Sequence, residues 1–259
     1  MPNVDTRHVA ADASDGDRKA DRVAHDLLRR IVRGDLPVGS VLPKESDLAE
    51  AYGTSRSVVR EAMKLLEVHG VVKPVRRRGT CVLDPLASLS PEVLRALLRP
   101  RGAAIDVAFL EGVLEVRATL DVEMIGLAAR RRTKADVARL ERELGELRAA
   151  AVSPERFGRA VYTFGLAVAA ATHNPIYTML VNWNDAVVRE LDVVFDAIRA
   201  AAAPYADGAG MLVERIAAGD EEGARDLVRT FHAWASPRLL ATARIASGAP
   251  VAAIRKELT

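Results

Sequence analysis

Residues 42–82, LPKESDLAEAYGTSRSVVREAMKLLEVHGVVKPVRRRGTCV, decide the fold of the first part of this chain. Pro43 suits the first turn of a helix, where a missing N–H costs nothing, and Glu45 and Asp47 favour a helix N-terminus. Leu48, Ala49 and Tyr52 form one apolar face, and Gly53 supplies a backbone free to take positive φ at the end of the turn. Thr54 or Ser55 then caps a second helix, in which Val58, Val59, Ala62, Met63, Leu65 and Leu66 recur at the spacing of a buried stripe. Ser55, Arg56, Ser57 and Arg60 remain on its exposed first turns. After Gly70, residues 71–74 and 79–82 read as two short strands around a basic tip of Arg76, Arg77 and Arg78.

Two helices across a tight turn followed by a hairpin are the layout of a winged helix-turn-helix, whose second helix enters a DNA major groove. Arginines fork onto guanine edges, while hydroxyls and amides at a helix N-terminus meet phosphate. The basic tip is expected to follow the backbone or enter the minor groove. Charge agrees: residues 18–83 hold 14 Lys/Arg against 8 Asp/Glu, a balance of +6, whereas the whole chain is +2 and the remainder therefore −4. One basic segment on a near-neutral protein is the electrostatic footprint of a nucleic-acid binder.

With 259 residues, 49% of them hydrophobic, the chain has room for one small and one larger core. Aromatics are only 4%, so the apolar content is mostly Ala, Leu and Val, as in closely packed helices. A single cysteine, Cys81, excludes an internal disulfide and fits a reducing cytoplasm; its place in a wing strand is that of a small buried side chain. No apolar run is long enough to span a bilayer, so no membrane partner is expected, and the polar N-terminus is no signal peptide.

Along the chain, residues 1–18 are expected to be a disordered tail, and Val23, Leu27, Leu28, Ile31 and Val32 mark a first helix from about residue 19 that Gly34 ends. The DNA-binding unit is read as 19–83 and the proline-flanked stretch 84–91 as a linker. From 92 to 246 every strong signal has a period near 3.6: helices at 91–98, 107–131, 134–149, 153–172 and 175–201, one through Val213 and Ile216, and one from Asp220 to residue 246. Residues 247–259 are read as a tail. The fold class is mainly α, a winged helix-turn-helix followed by an antiparallel all-α bundle of six or seven helices. Nothing resembles GxSxG, HExxH, a phosphate loop or paired catalytic carboxylates, so no enzyme is expected.

Both parts together resemble the GntR family in its FadR-like branch, with an FCD-type effector domain. The first motif is LPKESDLAEAYGTSRSVVREAMKLLEVHGVV with the wing glycine of RRRGTCV; the second is LEVRATLDVEMIGLAARR, the THNP break and AAGDEEGA, and the likeness spans residues 18–246. SLSPEVL further resembles the start of sensor domains in sugar-acid-responsive members. The resemblance implies a dimeric bacterial transcription factor, read here as a repressor on a palindromic operator, whose affinity a small acidic metabolite adjusts. The alternative is a constitutive DNA-binding dimer that has lost effector sensing. The family's DNA contacts fall on Ser55, Arg56, Ser57, Arg60 and Arg76 with Gly79 and Thr80; a basic residue after the LPxE glutamate is Ser46 here, for which Lys44 can substitute.

Many FCD domains hold a metal with one Asp and three His. Residue by residue those ligands fall on Val161, Gly165, Ala209 and Phe231, none of them a donor, so neither metal nor other cofactor is expected. His232 sits one position late, about 100° around the helix from the inner stripe of Ala224, Leu227, Val228 and Phe231. His173, beside the helix break, reads as a cap or surface residue, and Trp183 as core or, alternatively, a pocket wall, with core preferred. Arg117 falls on an inward stripe with Asp121 at i+4; either the two form a structural pair or Arg117 anchors an acidic effector, with a hydrogen bond from Asn184. Val161 and Gly165 in place of an acid and an imidazole open apolar volume suited to a larger, more hydrophobic carboxylate or thioester.

Overall fold

The computed structural model describes residues 6–101, 104–191 and 202–248, and the chain divides into two units, Met1–Gly102 and Ala103–Thr259. The first unit begins with α1 (Thr6–Val32), whose backbone takes in residues 6–18 of the stretch read above as a tail. The alanines of this stretch have high helix propensity, and the lone Gly16 costs only about 1 kcal/mol, too little to stop a helix anchored further on. Helices α2 (Glu45–Ala51) and α3 (Arg56–Val68) follow, then an antiparallel hairpin of β1 (Val72–Val75) and β2 (Gly79–Val82) in register Val72↔Val82 and Val75↔Gly79. Leu27, Leu28 and Ile31 of α1 pack with Leu48, Val59, Ala62, Leu66, Val72 and Val82 in one core. Cys81 is buried, as expected for a small wing side chain.

The stretch after the wing is not a free hinge. Asp84 caps a 3₁₀ turn at Pro85–Ala87, and Ser90 caps α4 (Pro91–Leu98), whose Val93 and Ala96 join the first unit's core. The expected domain boundary therefore moves: α4 belongs with the DNA-binding unit, because its apolar face finds α1 there.

The second unit holds, among the described residues, six helices: α5 (Val107–Arg131), α6 (Lys134–Ala150), α7 (Pro154–Ala171), α8 (Pro175–Glu190), α9 (Ala202–Ala218) and α10 (Glu221–Ala246). The part of the expected 175–201 helix beyond residue 191, and the expected tail beyond residue 248, lie outside the described residues. Each break is written locally. Asp106 accepts the Phe109 N–H at 3.0 Å, Thr133 and Asp136 form a capping box, and Asp220 accepts the Gly223 N–H at 2.9 Å after Gly219 turns the chain at φ +75°. His173 is exposed, the surface alternative of the expectation, and places Nε2 2.9 Å from Asp136 Oδ2, bracing that box, while Thr172 caps α7. Helix α10 lies along α5, α6 packs on α7 and α9, and α7 touches both α5 and α8. Their shared core includes Met124, Ile125, Leu140, Leu147, Phe157, Phe164, Val168, Ile216 and Val228. Among the described residues, no helix is long and apolar enough to cross a membrane.

Candidate functional site

Two sites emerge, one in each unit. In the first, Ser55 is the N-cap of α3: its Oγ accepts the Val58 N–H at 3.3 Å and lies 2.8 Å from Ser57 Oγ. Arg56 and Arg60 are exposed on the first turn and a half of that helix. Sequence reasoning missed what holds Arg60. Its guanidinium is 3.2 Å from Glu45 Oε2, so the first helix of the motif orients a side chain of the second. Both partners are largely exposed, and such a pair is worth well under 1 kcal/mol, so a phosphate or base edge can replace Glu45 cheaply. Lys44 is exposed at the N-cap of α2, while the Ser46 hydroxyl donates to Asp47 Oδ1 at 2.9 Å.

The wing is braced from behind. Leu42 N–H donates to Thr80 O at 2.8 Å and Val82 N–H to Ser40 O at 2.9 Å, so residues 40–42 run beside β2. Arg76, Arg77 and Arg78 are all exposed; Arg77 takes φ +63° at the tip, and Arg78 reaches the Gly39 carbonyl at 3.5 Å. Gly79 has φ +102°, and a Cβ there would come within 2.9 Å of Val41 Cγ1, so the wing glycine serves both the turn and the close approach. Half-buried Thr80 completes the edge. Cap, arginines and tip thus form a polar, predominantly basic surface of the kind a duplex requires.

In the second unit a cavity of about 500 Å³ is walled by α5, α7, α8, α9 and α10. Its walls are mainly apolar, from Leu114, Met124, Phe164, Val168, Leu212 and Leu239 among others. Polar groups gather around one level. Arg117 Nε donates to Asp121 Oδ2 at 3.3 Å, and His232 Nε2 lies 3.0 Å from the same oxygen. Since that partner is a carboxylate, the imidazole donates through Nε2. Burial by itself pushes the Asp121 carboxyl up, but the His232 hydrogen bond and the Arg117 charge outweigh it and hold the group below the ordinary carboxylate range. Tyr205 stacks edge-on with Phe157 at 5.6 Å and with Phe231 at 5.5 Å, and burial raises its hydroxyl pKa against the charge of Arg117. Asn184 lines this cavity and a smaller chamber of about 350 Å³ between α5 and α8, as do Arg117 and Asp121.

His232 corrects the expectation that it points away: only 8% of it is exposed and it faces the cavity. The inward face of α10 is wider than a single periodic stripe. Helix α10 packs on α5 and also walls the cavity, so Phe231, His232 and Ala235 all line it. Tyr205 carried no signal in AAAPYADGAG, and only tertiary packing brings it to Arg117. Of the two readings for Trp183 the structure takes the pocket wall, not the preferred core: it is half-buried and lines the smaller chamber. Val161 and Gly165 do line the main cavity.

The fold class raises the question of a metal centre. At its four positions stand Val161, Gly165, Ala209 and Phe231, and His232, the one imidazole of the described lining, is bonded to a carboxylate that Arg117 also holds. Among the described residues no three His, Cys, Asp or Glu side chains converge. These residues do not fit a divalent ion.

Comparison with known proteins places both units. Residues 19–82 match the model described as bacterial regulatory proteins, gntR family, and residues 112–232 match the FCD domain. The chain is 31% identical over 164 residues to the galactonate operon transcriptional repressor of Escherichia coli K12, covering 62% of this chain and 70% of that protein. It is 35% identical over 153 residues to the HTH-type transcriptional regulator LutR of Bacillus subtilis 168, covering 59% and 67%. A solved structure of Lar, which controls the expression of the Listeria monocytogenes agr system, shares the fold with TM-score 0.57 at 20% identity, over 87% of this chain and 96% of that one.

Proposed function

From the premise that this chain belongs to the gntR family of bacterial regulatory proteins, as a DNA-binding transcriptional regulator with an FCD effector-binding domain, we propose that it is a cytoplasmic, metabolite-gated repressor. Two copies read a palindromic operator, each through one recognition helix. Arg56 and Arg60 meet base edges, Ser55 and Ser57 meet phosphate, and Lys44, Arg76, Arg77 and Arg78 with the Gly79–Thr80 edge follow the backbone and minor groove.

The sensor takes a small acidic metabolite without metal. The observation that carries this is a mainly apolar cavity that Arg117, Asp121, Asn184, Tyr205 and His232 all line, with Arg117 and His232 on one carboxylate oxygen of Asp121. A guanidinium in such a place is kept by matching anions, and one that already shares a carboxylate with an imidazole can accept a further carboxylate in the same plane. Coupling of about 1–3 kcal/mol between cavity and operator is enough to change DNA affinity 5- to 150-fold.

A thermal-shift screen of sugar acids, dicarboxylates, fatty acids and acyl thioesters on the full chain tests the proposal. A compound at 100 times its dissociation constant adds about 2.7 kcal/mol of stability, and Arg117→Ala removes that gain. The Arg117–Asp121–His232 network also favours a second reading, in which the cluster only braces α5 against α10 and the protein binds DNA constitutively. In that case no compound shifts the melting temperature, and Arg117→Ala merely lowers it.

A further inference from the structure

Resting on the reading of the cavity as an effector site, we propose that it selects a predominantly apolar acid bearing a single carboxylate, and rejects polyhydroxylated acids and polyanions. The shape of the lining carries this. Four helices place a polar or aromatic residue at one level: Arg117 and Asp121 on α5, Phe157 on α7, Tyr205 on α9, Phe231 and His232 on α10. Along the same helices the wall continues as Met124 and Ile125, Phe164 and Val168, Leu212, and Val228, which belong to one packed apolar cluster. At 1.5 Å per residue these lie about 5–16 Å along their helices from the polar level, the reach of a medium alkyl or aryl tail.

Charge sets the limit on the head. The described lining contains one cation, Arg117, and two carboxylates, Asp121 and Asp185. One incoming carboxylate shares the guanidinium with Asp121, and the Tyr205 hydroxyl, close enough to feel the charges of both Arg117 and Asp121, offers a donor on the same level. Among the described lining a second negative charge meets these two carboxylates and no further Lys or Arg. Each hydroxyl placed along the tail would lose water against Phe164, Val168 and Leu212, a penalty of about a hundredfold in an apolar pocket, and a polyhydroxylated acid carries several.

Titration calorimetry on the full-length protein tests this with hexanoate, octanoate, decanoate, decanamide, gluconate and citrate. Affinity is expected to rise about fourfold per added methylene from hexanoate to decanoate. Decanoate is expected to bind at least tenfold tighter than decanamide, and gluconate and citrate to give no heat. Arg117→Gln should equalise acid and amide. Gly208→Leu adds bulk at a lining glycine whose new Cβ meets nothing within 4 Å; because it also replaces a glycine inside α9 it should keep or raise the melting temperature while weakening decanoate at least tenfold. Equal binding of acid and amide, a flat chain-length series, or silence of every probe overturns the proposal. Arg117-dependent binding of gluconate or citrate overturns it too, but leaves metabolite gating standing. Conversely, if decanoate binds with the expected slope yet leaves affinity for operator DNA selected in vitro unchanged, the selectivity holds and the gating fails.

Discussion

His232 Nε2 sits 3.0 Å from Asp121 Oδ2, tying α10 to α5 across the floor of the cavity. The contact joins residues 111 apart in sequence, and Arg117 shares the same carboxylate oxygen. Removing the imidazole leaves a half-buried carboxylate short of one hydrogen bond. His232→Leu should therefore cost about 1–3 kcal/mol in urea unfolding of the full chain, while His232→Gln, which keeps a donor, should recover part of that loss. If His232→Leu is as stable as the wild type, the contact is only a neighbour relation.

The same carboxylate gives a pH signature. Asp121 titrates below its ordinary range, so it binds fewer protons folded than unfolded at mildly acid pH. Its contribution is complete above the unfolded value of about 4 and disappears as pH falls through the lower folded value. Asp136 and Asp220 are depressed as well, so the wild type alone cannot isolate it. The difference in stability between wild type and Asp121→Asn can: it should stay level from pH 7 to about 5 and shrink steadily below about 4. A gap that widens with acid would refute the assignment.

What the sequence discloses follows the range of the interactions. Ser55 as a cap and the wing hairpin depend on neighbours a few residues away, and both stand where the pattern puts them. Arg117 and Asp121 are one helical turn apart and pair as expected. His232 was misread because periodicity counts one buried stripe per helix, whereas α10 has neighbours on two sides. Tyr205 and Glu45–Arg60 depend on packing between elements, for which a linear pattern has no register. The linker was misplaced because Pro85, Ser88, Ser90 and Pro91 have the composition of a hinge, although the serines are bound to the end of α3.

At the DNA surface, the two kinds of contact separate by their salt and sequence dependence. Arg56→Ala or Arg60→Ala should cost about 1–3 kcal/mol on the preferred operator and relax the sequence preference at one position each. Arg76→Ala should weaken all duplexes alike and reduce the slope of log affinity against log salt by about one. Glu45→Gln releases Arg60 and removes a negative charge, and should raise non-specific affinity with little effect on stability. Fluorescence anisotropy over a salt series measures all four. Unchanged affinity and slope in every variant would mean that α3 does not face the duplex.

His69 closes the recognition helix and is held by the segment that follows the wing. Ser88 Oγ donates to the His69 carbonyl at 2.6 Å, and Ser90 Oγ lies 2.9 Å from both His69 Nδ1 and Glu92 Oε2, with Arg95 bonded to Glu92 at 3.0 Å. A hydroxyl has one proton; with Ser90 donating to Glu92, His69 must donate to Ser90 through Nδ1. Ser90 is also the cap of α4, accepting the Glu92 N–H at 3.3 Å, so Ser90→Ala loses a cap and a bridge together. The cap alone costs about 1 kcal/mol, and the bridge should appear as a further coupling of about 0.5–1.5 kcal/mol in a double-mutant cycle with His69→Ala. Because the bridge joins the end of α3 to the start of α4, its loss should loosen the recognition helix as well: amide exchange near Val68 should speed up in Ser90→Ala but not in a control such as Ala87→Ser. Additive single effects with unchanged exchange would reduce Ser90 to a cap and leave α3 anchored by its apolar stripe alone.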